Sequence, residues 1–300
     1  MRIATAVGVT DTGRRRHRNE DAFVCAAPLF AVADGMGGAQ AGEVASRLAT
    51  AALGERVTAL RGATELVEII RTANARIFAH AAQDPSAAGM GTTVTVALVD
   101  EGAGTATIAH VGDSRAYRLA PGRLERLTSD HSLVAELVRA GRLTETEAAV
   151  HPHRSVITRV LGTEAVVEID TTTVRLAPGD VLLLCSDGLT AMVRDERILA
   201  LAEETAFAPQ ALADALIATA NEAGGDDNIT VVIASIEEGE PPVREHHTPP
   251  GQGEVAVPAP LDAVGGRRHG IGAGGRLPAL LAIGGAVVLA LLALAWGIVR

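Results

Sequence analysis

The sequence predicts an α+β domain of antiparallel sheets with helices packed outside, followed by a linker and one apolar helix. Three observations carry this. Strand-like segments come in neighbouring groups separated by helical pairs, not in strict alternation with helices. Composition changes abruptly after residue 237, and residues 277–299 carry no charge.

Strands are expected at 3–10, 21–25 and 29–34, then helices at 39–60 and 63–83. In 64-TELVEIIRTANARIFAHA-81, Leu66, Ile69, Ile70, Ala73, Ile77 and Phe78 share one helical face. Strands follow at 90–99, 104–111 and 114–119, then helices at 131–140 and 153–161. The alternation in 166-VVEIDTTTV-174 predicts a half-buried strand over 166–175, and 181-VLLLCS-186 reads as a strand (180–186) buried on both faces. Helices at 195–204 and 208–223 and a strand at 228–236 complete a domain spanning 1–237. No internal repeat is present.

Hydrophobic residues make up 48% of the 300, enough for a sizeable core, but aromatics are only 2%, so Val, Leu, Ile and Ala must do the packing. There is no lysine, so arginine supplies all the basic charge. A net charge of −10 argues against nucleic acid as a main partner. Cys25 and Cys185 lie in or beside apolar runs and are expected as buried thiols, which suits a cytosolic compartment. Met1–Val9 is too short for a secretion signal, and charge follows at once.

Residues 238–276 are rich in proline and then glycine, with no apolar period, and read as a disordered linker. His246 and His247 within it read as a solvated pair. The 23 uncharged residues 277–299 would span about 34 Å as a helix, enough to cross a hydrocarbon core of about 30 Å. Arg267, Arg268 and Arg276 precede this span and only Arg300 follows it, which places the domain in the cytoplasm as part of a single-pass, membrane-anchored chain.

The stretch 29-LFAVADGMGGAQAGEVAS-46 sets an apolar run against an aspartate, a glycine cluster and a helical pattern. A dinucleotide fingerprint needs a third glycine where Gln40 stands, and a P-loop needs a lysine that the chain lacks. The remaining readings are a plain Asp-Gly turn, or a turn that presents a carboxylate to a metal.

Other carboxylates have similar settings. In 182-LLLCSDGL-189 a buried strand ends in Asp187-Gly188; in 223-AGGDDNITVVIAS-235, Asp227-Asn228 opens a strand; 11-DTGRRRHRNEDAF-23 lies just ahead of the Asp34 strand. Buried carboxylates are costly unless paired or bound to metal. Several at strand ends suggest a divalent cation, and oxygen-only ligands favour Mg²⁺ or Mn²⁺. Zinc and an EF-hand do not fit, because neither ligand pattern occurs. Asp11-Thr12-Gly13 matches the aspartic-protease triplet, but no second triplet stands in an equivalent setting. Neither cysteine starts a C-x₅-R loop: after five intervening residues come Ala31 and Ala191. Arg14, Arg15, Arg16 and Arg18 precede the acidic group, and an arginine fork beside a metal pair suits a phosphate dianion.

Six motifs then occur in one order: Arg16-x-x-Asn19-Glu20-Asp21, Asp34-Gly35-Met36-Gly37-Gly38, Gly91-Thr92-Thr93, Gly112-Asp113-Ser114-Arg115, Ser186-Asp187-Gly188 and Asp227-Asn228. Over residues 3–236 the chain resembles the bacterial metal-dependent protein phosphatases, the type 2C serine/threonine phosphatases. The resemblance implies a four-layer α-β-β-α sandwich with the metal site at one end. It implies that Asp34 bridges two Mn²⁺ or Mg²⁺ ions, that Gly35 offers its backbone oxygen, and that Asp187 and Asp227 complete the first site. Glu20 and Asp21 are implied as acidic groups around the pair, and Asp113, with Asp187, as holder of a weaker third ion. Arg16 is implied as the phosphate-binding arginine, leaving Arg14, Arg15 and Arg18 as surface charge.

One departure stands out. Animal members carry a histidine acid where this chain has Met36, so a water on the metal is the expected proton donor, ahead of His17, His151 or His153. The expected reaction is hydrolysis of phosphoserine and phosphothreonine in proteins, substrates of cytoplasmic Ser/Thr kinases, by a monomer. Segment 131–155 resembles the family's variable flap. The alternatives are a catalytically silent phosphoprotein-binding adapter at the membrane, and an enzyme dedicated to one partner-switching regulator.

Overall fold

A computed structural model of the chain describes residues 1–37, 41–57, 60 and 62–239. In chain order the strands are β1 (Arg2–Asp11), β2 (Asp21–Ala26), β3 (Leu29–Met36), β4 (Gly91–Thr92), β5 (Val94–Asp100), β6 (Thr105–Val111), β7 (Arg115–Ala120), β8 (Arg123–Arg126), β9 (Asp170–Arg175), β10 (Val181–Cys185) and β11 (Ile229–Glu237). The helices are α1 (Ala41–Gly54), α2 (Ala63–Gln83), α3 (Leu133–Arg139), α4 (Glu145–Ala149), α5 (Asp187–Thr190), α6 (Asp195–Glu204) and α7 (Pro209–Glu222).

Two antiparallel sheets form. One runs β1-β11-β10-β7-β8; the other runs β2-β3-β5-β6-β9, with β4 against the end of β3. Strand alternation makes the layers. In β3, Phe30 and Val32 face the other sheet while Leu29, Ala31 and Ala33 face α1 and α2. In β10, Leu182 and Leu184 join the inter-sheet core while Val181, Leu183 and Cys185 face α6 and α7. Both sides of β10 are therefore buried, as its unbroken apolar run predicts. Each fully buried leucine there contributes roughly 2 kcal/mol of transfer free energy. The result is helices, sheet, sheet, helices, as expected.

Several expectations need correction. Residues 153–161 are not helical. Arg154 N and Val156 N close short turns, and beyond them Ser132 bridges Ile157 and Thr92 bridges Leu161, so the later backbone groups pair over long range instead of within a helix. The expected strand over 166–175 starts only at Asp170 and is mostly exposed, because it forms the sheet's edge. Val166 is 80% exposed. Phe78 leaves the buried face of α2 and stands 38% exposed, while Leu66, Ile69, Ile70, Ala73 and Ile77 are buried. Cys185 is buried but Cys25 only half-buried. Thr92 and Val94 belong to separate strands, β4 and β5. The expected first helix, 39–60, is shorter (α1), and β8, α4 and α5 add to the expected elements.

The linker beyond Gly239 and the expected span at 277–299 lie outside the described residues. Among the described residues, no helix is long and apolar enough to cross a membrane.

Candidate metal centre

The predicted carboxylates meet because strand ends meet. Asp21 opens β2 and pairs in register with Asp34 near the end of β3. Asp187 follows the end of β10, and Asp227 precedes β11, the neighbour of β10 in the other sheet. Asp113 lies in the turn between β6 and β7, which belong to different sheets. The site thus draws on both sheets at one end of the sandwich.

Hydroxyl and amide side chains hold this frame. Ser186 Oγ and Thr230 Oγ1 both donate to Asp21 Oδ2, at 2.8 and 2.6 Å. Thr93 Oγ1 accepts from the Asp34 backbone N at 3.0 Å, and Thr92 Oγ1 donates to the Asp34 carbonyl at 2.8 Å. Thr93 Oγ1 also lies 2.7 Å from Ser114 Oγ, tying the Asp34 strand to the Asp113 turn. Asn228 accepts from Glu20 N at 2.8 Å and donates to the carbonyls of Thr12 and Arg18 at 3.0 and 2.9 Å. It thereby clamps the arginine loop against the start of β11. The motif residues Thr92, Thr93, Ser114, Ser186 and Asn228 so acquire roles that their sequence positions did not assign.

Gly35 owes its identity to crowding. A Cβ there would lie 2.1 Å from the Gly42 carbonyl oxygen of α1 and 2.6 Å from that of Glu20. The strand end, the helix start and the Glu20 backbone pack at a distance that only glycine permits. Met36, where a histidine acid would stand, is 38% exposed.

Electrostatics shows what the cluster lacks. Burial pushes Asp34 well above the ordinary carboxylate range, and Asp21, Asp187, Asp113 and Asp227 add repulsion. Burial pushes Asp21 up to about 7 despite its two hydroxyl donors. Asp113 also rises to about 7, from burial and then from Asp187 and Asp130. Burial and then Asp227 raise Asp187, and burial raises Glu20 against the pull of Arg16. Asp21 Oδ1, Asp113 Oδ1 and Asp187 Oδ1 are buried with no hydrogen-bond partner. Orphaned carboxylate oxygens of this kind cost several kcal/mol unless something positive meets them. An oxygen-only donor set fits a hard divalent cation. Among the described residues, no three His, Cys, Asp or Glu side chains stand closed around a single point. The ligand set shows itself through burial, orphaned oxygens and shared repulsion, not through a formed coordination sphere.

Arg16 is brought to this cluster. Its Nη2 donates to Asp227 Oδ2 at 2.7 Å, and it feels Glu20 and Asp34 as well. Arg15 instead pairs with Asp226 at 2.8 Å, on the surface. Asp11 Oδ1 accepts from Gly13 N at 2.8 Å and from Asn221 Nδ2 at 3.2 Å, so the Asp-Thr-Gly triplet is a local turn. His151 and His153 contact each other, and among the described residues no hydrogen bond joins an imidazole to Asp21, Asp34, Asp113 or Asp187.

Sequence reasoning missed a second layer. Arg115 grips Asp130 through two hydrogen bonds, and His131 contacts Gly112, Asp170 and Arg159. Asp130 and Asp170 are remote in sequence from their partners, and no spacing rule connects them.

Known proteins share this sequence pattern and fold. Residues 12–228 match the family model described as protein phosphatase 2C. The chain is 42% identical over 239 residues to the serine/threonine phosphatase stp of Listeria monocytogenes, covering 75% of this chain and 92% of that one. It is 42% identical over 233 residues to the serine/threonine protein phosphatase PstP of Mycobacterium tuberculosis, covering 76% of this chain and 44% of that longer one. The crystal structure of the M. tuberculosis phosphatase superposes with a TM-score of 0.73 at 40% identity, over 78% of this chain and 99% of that one. A PstP catalytic domain solved with two manganese ions superposes at 0.71 and 38% identity, over 78% of this chain and 98% of that one. By the extent of these matches and the motifs that frame its carboxylates, this chain belongs to the protein phosphatase 2C family.

Proposed function

We propose that the chain hydrolyses phosphoserine and phosphothreonine monoesters in proteins, as a metal-dependent phosphatase. The observation that carries this is a mostly half-buried carboxylate cluster in which Asp21, Asp113 and Asp187 each keep one buried, orphaned oxygen, flanked by Arg16. Asp34, the Gly35 carbonyl, Asp187, Asp227, Asp21 and Glu20 would hold two Mn²⁺ or Mg²⁺ ions, and Asp113 with Asp187 a third. Such ions supply an activated water and offset phosphate charge.

The chain's own residues do the rest. Arg16 spends one Nη2 donor on Asp227, but a guanidinium has five N–H donors in a planar fork. The remainder can take the non-bridging oxygens of a phosphate dianion, half in solvent where substrate arrives. Asp227 keeps the fork aimed at the cluster. The hydroxyls on Asp21 and the Thr92/Thr93 clamp on Asp34 hold the carboxylates still, so little reorganisation is needed as charge develops. Mn²⁺-dependent release of phosphate from a phosphothreonine peptide tests the proposal; no turnover above the metal-free control would reject it. The same assay rejects a silent adapter, whose cluster should lack a ligand carboxylate.

Membrane anchoring is proposed on the sequence: the uncharged segment 277–299, the arginine bias before it and the Pro/Gly-rich linker 238–276. The substrates would then be phosphoproteins made by cytoplasmic Ser/Thr kinases. The 39-residue linker, as a flexible coil, would give roughly 31–37 Å between its ends.

A further inference from the structure

We infer that His131 is a positioning residue for Asp113, set in place by Asp170. The inference rests on the reading of Asp113 as a ligand of the third ion.

The Asp113 turn is gripped from two sides. On one side Gly112, at φ +115, packs so closely on Thr93 that a Cβ would lie 2.5 Å from the threonine Cβ. Ser114 Oγ meets Thr93 Oγ1 at 2.7 Å on the same side. On the other side one residue takes both polar groups of Gly112. His131 N donates to the Gly112 carbonyl at 2.7 Å, and Gly112 N donates to His131 Nδ1 at 3.0 Å. Asp113 follows directly, nearly buried, with Oδ1 lacking any partner. The direction of its carboxylate therefore depends on how the Gly112 peptide is held.

The tautomer follows from the donors. A backbone N–H can only donate, so Nδ1 of His131 must carry the lone pair. In the neutral ring the hydrogen then sits on Nε2, 3.2 Å from Asp170 Oδ2. Asp170 accepts it and so keeps Nδ1 free to accept from Gly112. Arg159 Nη1 holds Asp170 Oδ1 at 2.8 Å; its 3.2 Å approach to Nε2 is then a close contact and not a hydrogen bond. The ring is buried, with its centroid 4.8 Å from that of His110 of β6 and the two rings tilted by 34°. A buried imidazole with its second nitrogen fixed by a carboxylate is how outer groups orient a ligand. Here the imidazole acts through the neighbouring peptide.

The test exploits amide geometry. The Oδ1 of asparagine can replace the accepting Nδ1, whereas the amide nitrogen of glutamine replaces the donating Nε2 and leaves Gly112 N without its acceptor. Mn²⁺ binding to the full chain is titrated by the electron paramagnetic resonance of free ion, beside phosphopeptide turnover. Asp113→Ala should abolish the weakest class of sites and leave the tight class. His131→Gln should weaken that same class by about tenfold, while His131→Asn stays within about threefold of wild type. Asp170→Ala, which frees the tautomer, should fall between them. If Asp113→Ala alters the isotherm but His131→Gln and Asp170→Ala do not, the positioning role is wrong. If Asp113→Ala alters nothing, the ligand reading of Asp113 fails and takes this inference with it. Should His131→Gln also lose the tight class through misfolding, Asp170→Ala decides: a wild-type isotherm there overturns the inference.

Discussion

Asp21 and Asp34 are register partners across β2 and β3. Like charges directly opposite on antiparallel strands destabilise a sheet. Here the pair is also half-buried, and Asp187, Asp113 and Asp227 add to the repulsion on Asp34. Fold stability is thus set against a site that needs a cation, and the predictions follow from that conflict.

Asp34→Asn removes the carboxylate assigned to both ions. Turnover of a phosphothreonine peptide in saturating Mn²⁺ should drop by on the order of a thousandfold or more. Substantial residual turnover would remove Asp34 from the centre.

The metal-free domain should lose stability as pH rises. Asp21 and Asp113 titrate near 7 when folded, against about 4 when unfolded. The folded state then binds more protons than the unfolded one between those values, so unfolding free energy falls with pH across that window. Thermal melts in chelator at pH 5, 6, 7 and 8 should show a falling Tm. Saturating Mg²⁺ or Mn²⁺ should flatten or reverse the trend, because cations compete with those protons.

Arg16→Ala should lower kcat/KM by about a hundredfold, through loss of a phosphate donor aimed from Asp227. Arg15→Ala breaks only an exposed pair with Asp226 and should change kcat/KM by less than about threefold. Equal effects in steady-state kinetics would mean that the wrong arginine has been chosen.

Gly35→Ala forces a Cβ against the Gly42 carbonyl of α1. Backbone on both sides leaves little room to yield, so urea unfolding should show a loss of about 2 kcal/mol or more. Wild-type stability would mean that the β3–α1 junction is looser than it stands here.

A chain ended at Gly239 keeps β11, including Ile236, whose N donates to the Asp180 carbonyl. It should be soluble, monomeric and as active on peptides as the full chain. The full chain should fractionate with membranes and resist salt extraction. A folded, metal-binding but inactive short form would make the tail part of the catalytic unit.

Much of this was written locally. The apolar run and Asp-Gly endings at Asp34 and Asp187 marked strand ends bearing carboxylates, because alternation and turn chemistry act over a few residues. Resemblance in six ordered motifs then assigned Glu20, Asp21, Asp113, Asp227 and Arg16. Grouped strands pointed to antiparallel sheets with helices outside, and the apolar run of β10 to a strand buried on both faces, while the four-layer sandwich came from the resemblance.

Tertiary structure alone decided the rest. Ser186, just after β10, and Thr230 of β11 reach Asp21 from positions remote in sequence, and Asn228 clamps a loop more than 200 residues away. Residues 153–161 have a helical pattern but pair with Ser132 and Thr92, since long-range backbone partners outweigh weak local propensity. The hold of His131 on Gly112 has no trace in spacing. Side-chain partners at such separations are set by how sheets stack, and periodicity in the sequence carries no information about that.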